Sequence, residues 1–181
     1  MIDIKLIEEC KGGNLSNFGK IVNAASPFAY SVAFRMLGDD EESKDVVQES
    51  MVTVWQKLEM IKSPAAFKTW LYRIVINKCY DVLRLRKRNI EDSQDEKTWS
   101  RLSDTVSNRP SSELENKEMA MIISALTTRL SPKQKAVFVL SDLEEMTSDE
   151  ISGITGMSKL AIKANLYYAR KSISEMIEKY L

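Results

Sequence analysis

The chain has 181 residues, of which 44% are apolar and 29% charged, so it has room for one ordinary globular domain or two small ones. Its 26 basic residues balance its 26 acidic ones, so the net charge neither favours nor excludes a polyanionic partner. The sequence has no histidine, which removes the commonest general base, most zinc sites and the usual catalytic triads. We therefore expect no enzyme, no metal, no cofactor and no small-molecule substrate.

The two cysteines, Cys10 and Cys79, have no metal-like spacing, and we interpret both as packing residues. No apolar run reaches the ~18 residues of a membrane span. The stretch from Met1 to Cys10 has no signal-peptide apolar core. These features predict a cytoplasmic protein with reduced thiols.

The first predicted elements are two helices. A short amphipathic helix spans Ile2 to Glu9 and is closed by Gly12 and Gly13. A second helix follows, which Pro27 breaks or kinks and which continues to Leu37. Gly38 then ends it as the residue after the C-cap.

The third predicted helix has an acidic start at Asp39–Ser43 and reaches about Leu58. Its spacing predicts a buried face of Val47, Met51, Val54, Trp55 and Leu58. The outer face carries Asp45, Glu49, Val52 and Gln56, with Gln48 at its edge. From the residues alone a solvated face is the favoured interpretation, although an apolar Val52 on the polar side indicates a partner.

The segment from Ser63 to Arg88 predicts a long helix, with Pro64 at its start and no glycine or proline after it. Its apolar sector consists of Phe67, Trp70, Leu71, Ile74, Val75, Val82 and Leu85. A basic, aromatic-interleaved ridge runs along the opposite side and consists of Thr69, Arg73, Asn77, Tyr80, Arg84 and Lys87. Cations at a helix C-terminus also suit the helix dipole, so a plain helix end is the alternative interpretation.

Composition changes at Asn89. Residues 89–111 are rich in Ser, Asp, Glu and Asn and hold few large apolar side chains, so we predict a flexible linker and a domain boundary. Ser112 and Glu115 then form a candidate capping box for a helix to about Thr127, and Ser131-Pro132 opens another that ends near Ser141.

The last segment predicts a helix-turn-helix. Thr147 and Glu150 form a capping box, Gly156 turns the chain, and Ser158 caps a final helix. The buried positions of that helix are Ile162, Leu166, Ala169, Ile173, Met176 and Ile177. Because apolar residues recur at three and four rather than two, we predict an all-α fold of two small helical domains, residues 1–88 and 112–181, joined by the linker.

The exposed side of the final helix has side chains that suit DNA. Lys163 can donate to guanine, Leu160 or Ala164 can touch a thymine methyl, and the N-termini at Thr147 and Ser158 suit phosphates. The whole candidate surface is Leu160, Lys163, Ala164, Tyr167, Tyr168, Arg170 and Lys171. A helical hairpin that packs on another protein is the alternative interpretation.

Three segments together resemble the extracytoplasmic-function (ECF) sigma factors of the sigma-70 family. The family's polymerase-binding helix is similar to the segment DDEESKDVVQESMVTVWQKL. Its -10 helix is similar to the segment AFKTWLYRIVINKCYDVLRLRKR. LSPKQKAVFVLSDLEEMTSDEISGITGMSKLAIKANLYYARKSI is similar to its -35 domain. The resemblance implies a subunit that binds core RNA polymerase and promoter DNA, helps to open the duplex, and is restrained by an anti-sigma factor.

The resemblance also implies residue roles. The polymerase contacts are Asp45, Gln48, Glu49 and Val52. The contacts with the -10 element are Ser63, Lys68, Thr69, Trp70, Arg73, Asn77, Tyr80 and Arg84. The -35 contacts are the seven exposed residues of the final helix, which is less cationic than usual because Asn165 and Tyr168 stand where family members often carry basic residues.

Two other functions remain open at this point. A stand-alone helix-turn-helix regulator would bind duplex DNA tightly without polymerase, at a palindromic site. Its dimer interface would be more apolar than the basic ridge. A helical-bundle enzyme is disfavoured because the chain has no Glu-x-x-His pair for a di-metal carboxylate site.

Overall fold

The computed structural model describes residues 4–11, 15–61, 63, 66–92, 122–123, 125–127 and 129–178, and within these ranges all regular structure is helical. The all-α prediction is confirmed. The helices are α1 (Ile4–Lys11), α2 (Leu15–Leu37), α3 (Asp40–Lys57), α4 (Phe67–Asp92), α5 (Pro132–Phe138), α6 (Ser148–Thr155) and α7 (Lys159–Ile177). A 3₁₀ turn, Leu58–Met60, follows α3, and a π-helical turn, Val139–Leu143, follows α5. In the described ranges no helix has the length and apolar content needed to span a membrane.

The second helix is continuous from Leu15 to Leu37 with Pro27 inside it, so of the two predicted outcomes a break is excluded. Ala25, Ala29 and Val32, on either side of the proline, are completely buried, so packing holds both halves in one helix despite the lost hydrogen bond. The predicted end is confirmed: Gly38 has φ +68° and its N–H donates to the Phe34 carbonyl at 2.8 Å.

Three apolar side chains predicted to be buried are exposed. Trp55 is 37% exposed and its ring packs against Phe18 with the ring centroids 4.7 Å apart. Leu85 is 56% exposed and lies beyond Cys79, after which no residue up to Asn89 is buried. Ile177 is 41% exposed and follows Ile173, the last buried residue of α7. In the last two cases the helix continues past the neighbours that would cover it.

The fourth helix lies farther along the chain than predicted: it begins at Phe67 rather than at Pro64 and ends at Asp92 rather than at Arg88. Residues 93–121 lie outside the described part of the chain, and with them most of the predicted linker and the candidate capping box at Ser112. Residues 122–123 and 125–126 are helical, within the span predicted for that helix.

The predicted helix-turn-helix is confirmed in its details. Thr147 and Glu150 form a capping box at the start of α6, and Gly156 ends α6 with φ +73°. The Ser158 hydroxyl caps α7 by accepting the Ala161 N–H at 3.2 Å. The turn is therefore set by local residues, because glycine adopts this left-handed conformation without the strain that a side chain adds.

The N-terminal and C-terminal helices share one hydrophobic core. Val75, Ile76 and Cys79 of α4 belong to the same buried cluster as Ile151 and Ile154 of α6. Cys10 and Cys79 are both buried free thiols, which confirms them as packing residues, and burial raises the pKa of Cys79 to about 12. The two helical units thus lie directly against each other.

Candidate nucleic-acid interface

The first candidate surface is the outer side of α7. Ile162, Ala169 and Ile173 anchor the helix, and the opposite side is open to solvent. Leu160, Tyr167 and Tyr168 are large apolar or aromatic side chains that are 79%, 64% and 58% exposed. The predicted set Leu160, Lys163, Ala164, Tyr167, Tyr168, Arg170 and Lys171 is exposed throughout.

Arg170 and Asn165 of this helix are already engaged within the protein. The Arg170 guanidinium donates two hydrogen bonds to the Asp142 carboxylate, at 2.7 and 2.8 Å, and holds the pKa of that carboxyl below its usual range. The Asn165 amide donates to the Ala161 carbonyl at 2.7 Å and therefore turns back onto its own helix. Arg170 positions α7 against the π-helical turn in this structure.

The two helix N-termini differ in their chemistry. At α6 the Glu150 carboxylate accepts the Thr147 N–H at 2.8 Å, and this bond lowers the pKa of Glu150. At α7 the first turn holds no acidic residue, and the cap is the neutral Ser158 hydroxyl. The N-terminus of α7 is thus better suited to a phosphate than that of α6.

The second candidate surface is the ridge of α4. Arg73, Asn77 and Arg84 are exposed, and Arg84 forms an ion pair with Asp81 at 3.4 Å. Lys68 is exposed and its ammonium group lies 5.6 Å from the centroid of the Tyr72 ring. The ridge therefore keeps cationic and polar side chains at the surface over more than four turns of helix.

Other members of the -10 set lie deeper. Thr69 and Trp70 are half-buried, and Trp70 packs on the core with its ring 6.1 Å from that of Phe67. Tyr80 is half-buried, and its hydroxyl is buried with no hydrogen-bond partner in the described chain. Burial raises the pKa of Tyr80 to about 12. Ser63, before the helix, is exposed and its carbonyl accepts the Ala66 N–H.

The third surface is the outer side of α3. Asp45, Gln48 and Val52 are exposed, and the exposed fraction of Val52 is 51%. Glu49 forms an ion pair with Lys78 of α4 at 2.8 Å. A groove of about 830 Å³ adjoins this surface and is walled mainly by apolar side chains, Val22, Met51 and Trp55 among them. The four predicted polymerase-binding residues thus lie together beside an apolar groove.

Several contacts between the two units involve residues that the sequence patterns did not single out. Arg35 of α2 forms an ion pair with Glu144, and the Tyr72 hydroxyl donates to the same carboxylate at 3.2 Å. Arg73 donates through Nε to the Gly153 carbonyl at 2.9 Å and also through Nη2. A glycine inside the helical pattern of α6 was the one sequence signal for such a close approach.

A helix-turn-helix with an exposed aromatic and basic helix, beside a long basic ridge, defines a DNA-binding protein. Comparisons with known proteins extend this result. The family model for Sigma-70 region 2 matches residues 21–89, and that for Sigma-70, region 4 matches residues 120–173.

Among curated relatives, the ECF RNA polymerase sigma factor SigW of Bacillus subtilis is 24% identical over 180 residues, 96% of this chain and 95% of the relative. A solved structure of CnrH in complex with the cytosolic domain of CnrY has a TM-score of 0.68 at 24% identity and covers 98% of this chain and 97% of the other. The sigma factor RpoE of Bartonella quintana, solved with the anti-sigma factor NepR, has a TM-score of 0.69 at 20% identity, over 91% and 98% of the two chains.

The chain belongs to the sigma-70 family and is an ECF RNA polymerase sigma factor. Its function is therefore promoter recognition and transcription initiation, and its partners are core RNA polymerase and promoter DNA. The alternative of a stand-alone helix-turn-helix regulator is not favoured, because the family models account for both helical units.

Proposed function

We propose a division of this activity over the chain, with residues 1–88 binding the core polymerase and the -10 element and residues 112–181 binding the -35 element. Residues 89–111 connect the two. The observation that carries this proposal is the separation of three surfaces: an acidic and apolar one on α3, a basic ridge on α4, and a basic aromatic one on α7. Surfaces of different chemistry suit different partners.

On this proposal the α3 surface, Asp45, Gln48, Glu49 and Val52, binds the core polymerase. Acidic side chains around an exposed valine suit a partner surface that combines basic and apolar groups. The Glu49–Lys78 ion pair ties this surface to α4, so that a polymerase bound at α3 fixes the direction of the ridge.

The ridge of α4 binds the -10 element as single strand. Opening a duplex needs no catalytic group, but a surface that binds unpaired bases better than paired ones. Extruding a base costs a few kcal/mol, and stacking on an aromatic side chain returns about 1–3 kcal/mol per base. Arg73, Asn77 and Arg84 supply the polar and cationic track for the backbone, while Trp70 chiefly supports the helix from below.

The α7 surface reads the -35 element in the major groove. Lys163 and Ala164 lie in the N-terminal half of the helix, which approaches base edges in helix-turn-helix proteins. Tyr167, one turn after Lys163, reads the same element, while Tyr168 and Lys171 lie farther along and suit the phosphate backbone. Each of the two DNA contacts is weak by itself. Because the polymerase holds both helical units, binding of one unit to its promoter element raises the effective concentration of the other unit at the second element.

We further propose that the chain acts in the cytoplasm as a regulatory, non-catalytic subunit that an anti-sigma protein restrains. RpoE of Bartonella quintana, which has the same fold, was solved with such a factor. No cluster of His, Cys, Asp and Glu in the described ranges has the arrangement of a metal site, and the proposed mechanism uses none.

In vitro transcription from a genomic library, with this chain and core polymerase, tests the function and identifies the promoter at once. Transcripts that share a -10 and a -35 motif upstream of their starts are expected. Core polymerase without the chain is the control. Transcription that does not depend on the chain would contradict the proposal.

Replacing both Asn77 and Arg84 with Ala is expected to lower open-complex formation at least tenfold while leaving core binding unchanged, because both side chains are exposed on the ridge. Permanganate footprinting measures opening, and gel filtration with core polymerase measures binding. Lys20→Ala, an exposed cation on α2, is the matched control. Equal loss of opening and core binding would show that the ridge merely supports the fold.

A further inference from the structure

The middle of the exposed side of α7 carries an apolar line, which consists of Leu160, Ala164 and Tyr167. At about 100° per residue these three side chains fall within a sector of about 60°. The sector lies opposite Ile162 and Ile173, which are buried. Ala164 is exposed, and the exposed fractions of Leu160 and Tyr167 are 79% and 64%. The part of α7 that faces directly away from the core therefore presents mainly carbon.

The cationic groups of the same half of the helix lie to one side of this line or are engaged elsewhere. The ammonium group of Lys159 forms an ion pair with Asp149 of α6 at 2.7 Å. Arg170 pairs with Asp142 at the same distance. Lys163 lies about 70° around the helix from the centre of the apolar line. Near the start of α7, hydrogen-bond donors for base edges are therefore few along the middle of the exposed side.

The major groove of DNA offers one apolar group, the C5 methyl of thymine. The edges of the other bases present mainly donors and acceptors, which an aliphatic side chain leaves unpaired when it displaces their water. Contact between an aliphatic side chain and the thymine methyl buries apolar surface on both partners. An apolar line therefore favours thymine by attraction and disfavours the other bases by desolvation.

We propose that α7 selects its -35 element through thymine methyl groups and that Leu160 makes the deciding contact. This inference rests on the proposed assignment of α7 to the -35 element, and it names the class of sequence that the surface takes. Leu160 and Ala164 are about 6 Å apart along the helix axis, and base pairs are stacked about 3.4 Å apart. The -35 element therefore carries two thymines, on either strand, within two base pairs of each other.

Deoxyuridine tests the contact because it lacks only the C5 methyl of thymidine and keeps its base pairing. The probe is a duplex that carries a promoter recovered by library transcription, with deoxyuridine at one thymine of the -35 element at a time. It competes with the unmodified duplex for the natural chain bound to core polymerase. At one thymine or more we expect binding to be about threefold to fivefold weaker, as for the loss of one buried methyl group. Deoxyuridine between the two promoter elements is the control and is expected to change the affinity less than twofold.

Leu160→Ala assigns the loss to one side chain. The truncation removes the contact and adds no hydrogen-bonding group, so deoxyuridine and thymidine at the sensitive position are expected to bind equally well. Leu160→Met keeps an apolar side chain of similar length and is expected to retain the preference for thymidine. Ile177→Ala is the matched control, because Ile177 is an apolar residue of α7 that is 41% exposed and lies outside the proposed DNA surface. This control is expected to show the same loss with deoxyuridine as the natural chain.

Two results would overturn the inference. The first is a natural chain that binds the duplexes equally well with deoxyuridine or thymidine at every position of the -35 element, or a -35 element with no thymine on either strand. The second is an undiminished loss with deoxyuridine in Leu160→Ala, because another residue or the shape of the DNA would then sense the methyl group.

The proposed function fails in a different way. If the natural chain with core polymerase supports transcription from no promoter, the proposed function is disproved. If transcription depends on the chain, yet deoxyuridine or Leu160→Ala gives one of the two contrary results, the function stands and only the role of the thymine methyl groups is disproved.

Discussion

Lys163 and Lys171 lie about two turns apart on the exposed side of α7, and the structure allows their roles to be separated. On the proposed assignment, Lys163, near the helix N-terminus, meets base edges, whereas Lys171 meets the phosphate backbone. A residue that reads a base changes sequence preference, and one that binds phosphate changes affinity for every sequence.

Lys163→Ala is therefore expected to relax preference at one position of the -35 element, by about 1–3 kcal/mol of discrimination. Lys171→Ala is expected to weaken binding uniformly and to reduce the salt slope by about 1. Competition binding to a randomised -35 library at several salt concentrations measures both. An unchanged sequence profile for Lys163→Ala would show that it touches only phosphate.

A second prediction at the scale of the residue concerns Lys135 and the pH dependence of the free energy of unfolding. Burial lowers its pKa to about 8, and the nearby Arg86 acts in the same direction, while Cys79 acts against it. Between pH 8 and 10.5 the unfolded chain therefore holds more protons than the folded one, so Lys135 makes stability rise with pH. Cys79 has the opposite effect above pH 9, because its pKa is raised from 9.0 to about 12.

The contribution of Lys135 is clearest between pH 8 and 9, where it is expected to add up to about 1.4 kcal/mol per pH unit. Lys135→Met is expected to remove this rise and to be more stable than the natural chain at pH 7. Urea unfolding at pH 7, 8 and 9 measures the free energy of unfolding of each chain. Lys133→Met, at an exposed neighbouring position, is the control. The same pH slope in Lys135→Met and the natural chain would contradict the assignment.

At the scale of the element, two glycines show how position decides what a residue does. Gly156 ends α6 in the left-handed region, with φ +73°, whereas Gly19 lies on the exposed side of α2. An added methyl group would meet no atom within 4 Å at either place. Any difference between them on substitution is therefore due to the backbone alone.

Gly156→Ala is expected to lower the free energy of unfolding by about 1 kcal/mol, because an alanine is strained at that φ. Gly19→Ala is expected to raise it by up to about 1 kcal/mol through better helix propensity and a less flexible unfolded chain. Thermal unfolding of the two variants and the natural chain measures the sign of each change in the free energy of unfolding. A stabilising Gly156→Ala would mean that the turn does not need its left-handed residue.

At the scale of the whole molecule, the surfaces proposed to bind polymerase and DNA belong to different helices, so we expect that each function can be removed by itself. Asp45 and Val52 are exposed on α3, and the ridge and the helix-turn-helix lie elsewhere. Changes at these two positions are not expected to alter the packing of the N-terminal helices against the C-terminal helices.

The double variant Asp45→Lys and Val52→Asp is expected to weaken core binding at least tenfold, which corresponds to about 1.4 kcal/mol, with the fold intact. Gel filtration with core polymerase measures core binding, and circular dichroism measures whether the fold is intact. Ser174→Asp with Glu175→Lys, at two exposed positions of α7, changes the net charge by the same amount and is the control. Core binding equal to that of the control would remove α3 from the polymerase interface.

Local sequence was sufficient for much of the fold. Each cap depends on residues three apart, such as Thr147 with Glu150, and each turn on a glycine such as Gly38 or Gly156, so neighbouring residues alone predict these features. The grouping of the three candidate surfaces was also predictable, because helical spacing alone brings their residues to one side of α3, α4 or α7.

Tertiary structure decided what depends on residues far apart in the chain. Nothing in the pattern of α4 shows that α6 covers Thr69, or that Arg73 donates to Gly153, 80 residues away. Helical periodicity also assigned Leu85 and Ile177 to a buried side that has no neighbour to bury them. Periodicity fixes which side chains share a helix face, but only the packing of distant segments determines what, if anything, that face meets.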